Sequence, residues 1–457
     1  MSSILQTKPE DVSTAEKRAR YKVTITGCDQ TGVFLSYLLA DAGFRVTCAD
    51  ADQTKVALLA KGKAPFTDHQ AETKLKNYIK NGLIIPTDDT KMAVSQSDII
   101  LLNRPVRVDQ KKKPDYSDIQ KTCRIVGANL RKGAIVMVTV TVGAGTIENM
   151  IRETLENSSG FKVGTEIGLA YTPIQTAHDQ KSETVLACDD IAAACDEKSL
   201  NVASTILGIV ARDEVLKKTL SVKSAEMAVL FKAARTEVND ALNYELALLC
   251  EKAKVDYPEV MRLLSTEDLN TALSSRRRNG GTKNASYLLL QDAEDLNTKL
   301  RGLTVASETD EQMAKHATYL VSDALRNCGK TLRRAKVSML GISEIPNLKS
   351  PPKALARKLA KTMERRGAKM RIYDPYFTLG QTESEHFKKT LNEALEGADC
   401  IILITAHDQI RRLTTNKLKV VMKMPAAIVD FEGVFEPEKV EKEGFVYRGL
   451  GRGVWTK

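Results

Sequence analysis

Two stretches of the chain share one pattern of apolar and polar positions. In Val23–Ala40 (VTITGCDQTGVFLSYLLA) and Val337–Ala360 (VSMLGISEIPNLKSPPKALARKLA) a short β-rich apolar run stops at a glycine, Gly27 or Gly341, and gives way to helical spacing. A parallel strand hands its chain to a crossover helix in this way. Each stretch continues into a second strand, Phe44–Asp50 (FRVTCAD) and Lys369–Pro375 (KMRIYDP). The pattern therefore predicts an α/β fold with two Rossmann-like doubly wound domains, expected to hold one ligand each or one between them.

Between these ends the periodicity changes. Strands at Val23–Thr26, Arg45–Cys48, Asp98–Leu102 and Ala134–Thr141 alternate with helical stretches up to about Val210, as a doubly wound sheet requires. From Val222 to Leu264 the pattern is helical, with Met227, Leu230, Phe231, Ala234, Val238, Leu242, Leu246 and Leu249 three and four apart. One long helix is predicted, its stripe serving as core or as a subunit interface. Gly302–Asp310 reads as a linker, and Met1–Arg20, polar and without apolar period, as a mobile tail. The expected organisation is a tail over 1–20, an N-terminal Rossmann-like domain over 21–210, a central helical dimerisation domain over 211–302 and a C-terminal Rossmann-like domain over 303–457.

Composition narrows the class. At 457 residues and 42% hydrophobic the chain can bury large cores. It has no apolar run of about 18 residues and no charged-then-apolar leader, so neither membrane insertion nor secretion is indicated and a cytoplasmic location is expected. The eight cysteines form no C-x-x-C pair and the five histidines no ligand spacing, which predicts reduced thiols and no metal. The formal charge of +10 is concentrated at Lys111–Lys113, Arg276–Arg278 and the helix carrying Lys353, Arg357, Lys358, Lys361, Arg365 and Arg366. No aromatic platform accompanies these cations, so a solvated face or a small-phosphate pocket is the better reading and a nucleic-acid partner is not expected.

The motifs, in order, are VTITGCDQTG with AGFRVTCADAD, GAIVMVTVTVGAGTIE, GLAYTPIQ, SAEMAVLFKAARTEVNDALNYELALLCEKAKVD, MRIYDPY, EALEGADCIILITAHDQIRRL and GFVYRGLGRG. Together the chain resembles the UDP-glucose/GDP-mannose dehydrogenase family from Tyr21 to Gly453, and within it the UDP-N-acetylmannosamine type. The resemblance implies an NAD-binding N-terminal domain, a helical dimerisation core and a C-terminal domain that binds a nucleotide sugar. Family members oxidise a sugar C6 alcohol to an acid with two NAD, through a cysteine-bound thiohemiacetal and thioester. A lysine, an acid and oxyanion-stabilising groups assist that chemistry.

The sequence departs from the family pattern where the chemistry sits. The family cysteine follows Gly-Gly-His; here Gly280-Gly281-Thr282-Lys283 puts Lys283 in its place. The family lysine and asparagine of the central helix fall at Val229 and Ala233, one turn apart on one face. The glutamate after proline falls at Ile174, the aspartate beyond the cysteine near Tyr287, and the proline-flanked threonine at Arg104. Of the family's Glu-Ser-Thr, read here as Thr139-Val140-Thr141, only Thr141 remains. The sugar-nucleotide loop is shortened to Ile345–Pro351, and Glu432 replaces the arginine near Asp430, while Asp374-Pro375-Tyr376 and Gly449–Gly453 are kept.

The cofactor turn is half kept. Gly27 and Gly32 stand where a G-x-G-x-x-G turn needs them, but the middle position is Asp29, whose carboxylate opposes a pyrophosphate by about 1–4 kcal/mol. Asp50, ending the second strand, is placed to read an adenosine ribose. The cofactor-binding candidates are thus Gly27, Gly32, Asp50 and Thr141, with NAD expected to bind weakly or not at all. Each residue also has a structural reading. Asp29 suits a helix N-cap, Asp50 a turn cap, and Lys283 a solvated surface as against an imine-forming amine. His178 and His407 lie in loops without an evident partner. Four replaced positions, Lys283, Val229, Ala233 and Ile174, favour a homologue that has lost catalysis and serves a structural, assembly-forming or regulatory role. A non-turnover sensor of NAD or a UDP-sugar ranks second, and an active NAD-dependent dehydrogenase with atypical residues third.

Overall fold

The computed structural model describes residues 3–63, 69–109, 111–178, 184–188, 191–211, 216–263, 280–347, 352–377 and 386–452. Packing divides the chain into two compact units, Met1–Arg235 with Gly280–Leu300, and Thr236–Asn279 with Arg301–Lys457.

The first unit is built on an eight-stranded sheet ordered Lys217–Thr219, Ile191–Ala194, Gly168–Tyr171, Ile135–Val138, Ile99–Leu102, Lys22–Thr26, Arg45–Ala49, Ile84–Thr87. All neighbours run parallel except Ile191–Ala194 against Gly168–Tyr171. The strand order reverses on either side of Lys22–Thr26, the switch point at which such sheets receive ligands. Ile99–Leu102 and Ile135–Val138 are buried at every position, as strands covered on both faces must be. Residues 3–20, predicted as a mobile tail, are instead docked on this unit. Ile4 and Val12 are buried, Ser3 Oγ bonds the Gly133 carbonyl at 2.9 Å and Arg18 Nε that of Ala42 at 2.5 Å. Isolated apolar anchors in short 3₁₀ turns, Ile4 and Val12, suffice to dock such a segment without any regular period.

The second unit holds a five-stranded, all-parallel sheet ordered Lys369–Tyr373, Lys336–Leu340, Cys400–Leu403, Ala427–Asp430, Val446–Gly449. Its two faces carry separate cores, one around Leu320, Leu359 and Met363, the other around Leu395, Leu418 and Val440. In the helix Ala354–Arg365 the buried residues Ala356, Leu359, Ala360 and Met363 recur at helical spacing while Arg357, Lys361 and Arg365 face solvent. These arginines and the lysine form a solvated face, whereas Lys353 at the start of the run is buried.

The central region is helix-rich. The helix predicted over Val222–Leu264 runs over Val222–Ala253 and restarts over Tyr257–Leu263. Lys254 turns left-handed at φ 59°, and Pro258 occupies the first turn of the new helix, where its missing N–H costs nothing. Gly302–Asp310, read as a linker, lies inside the helix Arg301–Asn327, because Leu303, Ala306 and Thr309 bury one face and override the local glycine.

Candidate functional site

The switch point of the first sheet is a tight turn. Gly27 has φ 119°, and a Cβ there would meet the Asn103 carbonyl oxygen at 2.5 Å; a Cβ on Gly32 would meet the Gly27 oxygen at 1.8 Å. Both glycines are therefore demanded by backbone packing alone. Asp29 N-caps the helix Gln30–Asp41: its Oδ1 accepts from Gly32 N at 2.9 Å and from Asn103 Nδ2 at 2.8 Å. Burial pushes the Asp29 carboxyl above its ordinary range, against the pull of those two donors. The helix-terminal amide at Gly32, a group that a phosphate would use, donates to this side chain.

Asp50 is buried at the end of Arg45–Ala49 and fully engaged. Its Oδ2 accepts from Cys28 N at 2.9 Å; its Oδ1 accepts from Asp52 N and from Arg104 Nη2, each at 3.0 Å. Lys55 Nζ lies 3.9 Å from Oδ2. Burial opposes ionisation, but the amides and the guanidinium outweigh it and hold the carboxyl below its usual range. Beneath the turn Cys28 Sγ and Cys48 Sγ sit 3.1 Å apart, both buried, and the hydrogen bond to Cys48 together with burial pushes the Cys28 thiol far up.

Val229, Ala233 and Ile174 are all buried apolar residues of the first unit. Lys283 lies on the helix Gly280–Asp295, its side chain outside the described residues, as are Arg276–Arg278 and the side chain of His178. Tyr287 is buried with the Lys112 ammonium 5.6 Å from its ring centre. Thr141 is half-buried just beyond the strand Ile135–Val138.

A second polar centre was not anticipated. In the loop 143–147 four backbone amides each donate to a side chain: Gly143 N to Tyr116 Oη at 3.1 Å, Ala144 N to Asp292 Oδ2 at 2.8 Å, Gly145 N to Glu226 Oε2 at 2.6 Å and Ile147 N to Glu226 Oε1 at 2.9 Å. Glu226 has no exposed surface, and burial pushes its carboxyl up to about 7, with Glu148 and Asp292 adding to the rise against the two amides. Asp292 is likewise raised by burial. The sequence signal was present: Glu226 lies on the same helical face as Val229 and Ala233, where a charge must have a partner.

In the second unit His407, which the sequence left without a partner, is completely buried and doubly bonded. Asn347 N donates to its Nδ1 at 2.8 Å, so Nε2 carries the proton and donates to Asp374 Oδ2 at 3.0 Å. Asp374 also takes the Ile342 and Ser343 amides and the Ser343 hydroxyl. Lys353 Nζ is used by the Ile404 carbonyl at 2.7 Å and by Glu432 at 2.9 Å. Among the described residues no group of three or more His, Cys, Asp or Glu is placed to hold a metal, and no helix is long and apolar enough to cross a membrane.

The sheet of the first unit and the order of its motifs have counterparts among known proteins. Residues 21–207 match the NAD binding domain of the UDP-glucose/GDP-mannose dehydrogenase family, and residues 338–437 match its UDP binding domain. The chain is 24% identical over 435 residues to a UDP-N-acetyl-D-mannosamine dehydrogenase of Pyrococcus horikoshii, covering 94% of this chain and 99% of that one. It is 25% identical over 451 residues to a UDP-glucose 6-dehydrogenase of Rhizobium meliloti, covering 94% and 99%. The solved structure of UDP-D-ManNAc dehydrogenase from Pyrococcus horikoshii shares its fold at a TM-score of 0.79 and 21% identity, over 95% of this chain and 100% of that one. With both family domains matched in order across the two doubly wound units, the chain belongs to the UDP-glucose/GDP-mannose dehydrogenase family.

Proposed function

We propose that this family member does not catalyse the oxidation of a nucleotide sugar and serves instead as a structural, assembly-forming or regulatory protein. The observation that carries this reading is the apolar burial of Val229, Ala233 and Ile174, at the positions where the resemblance calls for a lysine, an asparagine and a glutamate. A buried valine, alanine and isoleucine can neither polarise a sugar oxygen nor hold a hydrolytic water. Lys283 in the place of the thiol removes the covalent step as well. NAD is expected to bind weakly or not at all, because the turn as arranged does not fit a dinucleotide. Asp29 occupies the helix-terminal amide at Gly32, and Arg104 occupies the acceptor Asp50.

Self-association through the long central helix completes the reading. Phe231, Val238, Leu242, Leu246 and Leu249 are exposed along one side of Val222–Ala253, a stripe about 27 Å long at helical rise. A second copy presenting the same stripe would cover it. The test is direct: purified protein mixed with NAD and either UDP-glucose or UDP-N-acetylmannosamine should yield no NADH above a no-substrate control. Steady production at two NADH per sugar would refute the reading.

A further inference from the structure

We infer that Arg104 is an internal occupant of the ribose acceptor, so that the dinucleotide cleft of the first unit is held shut by a removable side chain. The inference rests on the reading of this turn as a dinucleotide-type site, and it names the residue that controls its affinity. Asp50 closes the second strand beside the glycine turn, where a ribose diol would donate to its carboxylate. Its Oδ1 is instead taken by the Arg104 guanidinium at 3.0 Å, from the end of the neighbouring strand Ile99–Leu102 across the switch point. Arg104 remains about one-quarter exposed at 23%, whereas Asp50 is 3% exposed. The arginine thus covers the carboxylate from the open side.

The other partners of Asp50 do not compete with a ligand in the same way. Cys28 N and Asp52 N are backbone amides that fix the turn, and Lys55, at 3.9 Å and 42% exposed, is a loose neighbour. Only Arg104 combines a close hydrogen bond, a full charge and a path to solvent. A ribose entering the site must break that pair before it can bond Asp50, and its affinity is lowered accordingly.

Calorimetric titration of the full chain with ADP-ribose and with its 2′-deoxy analogue tests this, in the native protein, Arg104→Ala and Arg104→Gln. Arg104→Ala should bind ADP-ribose on the order of ten to a hundred times more tightly than native, the span of a charge-assisted hydrogen bond. The gain should shrink with the 2′-deoxy analogue, which keeps only the 3′-hydroxyl to donate. Arg104→Gln, which keeps a neutral donor and most of the side-chain volume, should fall between the two and gives a second reading if the alanine variant folds poorly. Equal or weaker binding in both variants, no binding at all, or an equal gain with the deoxy analogue would overturn the inference. Native protein that binds weakly and variants that do no better would leave the proposed loss of cofactor affinity standing while removing Arg104 as its cause; tight native binding would refute both.

Discussion

Glu226 makes the stability of the first unit fall as pH rises, in a window set by its surroundings. Its carboxyl is completely buried with an ordinary value of 4.5 that burial raises to about 7. Between those values the folded chain holds a proton that the unfolded chain has released, so the equilibrium shifts towards unfolding with each step upward in pH. Below about pH 4.5 both states are protonated and the stabilisation is complete; above about pH 7 both are ionised and the loss is complete, at about 3 kcal/mol. Glu226→Gln is neutral throughout. Its single carbonyl serves one of the two amides at Gly145 and Ile147 and leaves the other facing an NH₂ group, a cost of about 1–3 kcal/mol that does not change with pH. Urea unfolding followed by circular dichroism at intervals from pH 4.5 to 8 should therefore show the native protein ahead of the variant at the acid end, with its lead shrinking by about 3 kcal/mol at neutrality. Asp430, also raised by burial to about 6, titrates in both proteins and cancels in the difference. A difference that stays constant with pH would refute the argument and place the Glu226 proton elsewhere.

Lys283→Cys alone should restore no acid formation from a UDP-sugar, since Val229, Ala233 and Ile174 remain apolar; product detected by mass spectrometry would show that those positions are misassigned. Leu242→Glu with Leu249→Glu should reduce the mass measured by light scattering to that of a single chain, and a native protein already monomeric at micromolar concentration would defeat the proposed self-association. Asp29→Gly should strengthen NAD binding by about 1 kcal/mol or more by removing an opposing carboxylate, at a cap cost of only a few tenths of a kcal/mol; unchanged affinity by calorimetry would mean that the turn does not meet the pyrophosphate.

The architecture was legible because its signals are local. Apolar runs ending at Gly27 and Gly341 and the spacing of Ala356, Leu359, Ala360 and Met363 lie within a few residues of the structure they specify. Asp29 was readable as a cap for the same reason, its acceptor lying three residues from the donor. Partners distant in sequence were not readable. Asp292 reaches Ala144 across 148 positions and Glu226 reaches Gly145 across 81; the charge of Glu226 on an apolar helical face signals that a partner exists, but nothing in the helix says which. The docking of residues 3–20 failed to show for a related reason: Ile4 and Val12 find their pockets on a surface assembled from later segments.

The strand-end aspartates show why a ligand residue cannot be told from a turn residue by position alone. Asp50, Asp374 and Asp430 each lie at the end of a parallel strand, and each accepts the amide two residues further on, from Asp52, Tyr376 and Glu432 at 2.9–3.0 Å. Each uses its other oxygen on a further turn: Cys28 N, Ile342 N with Ser343 N, and Phe435 N. Turn closure therefore accounts for all three carboxylates before any ligand is considered. What separates the first two is the side chain brought to them from across the sheet, a partly exposed arginine at Asp50 and a fully buried histidine at Asp374. His407 is locked between Asp374 and Asn347 with no exposed surface, so its removal would unmake the turn. Arg104 reaches solvent and bonds Asp50 from the open side. Of these partners, the histidine is sealed in the core while the arginine keeps part of its surface in solvent, which is the difference the Arg104 variants probe.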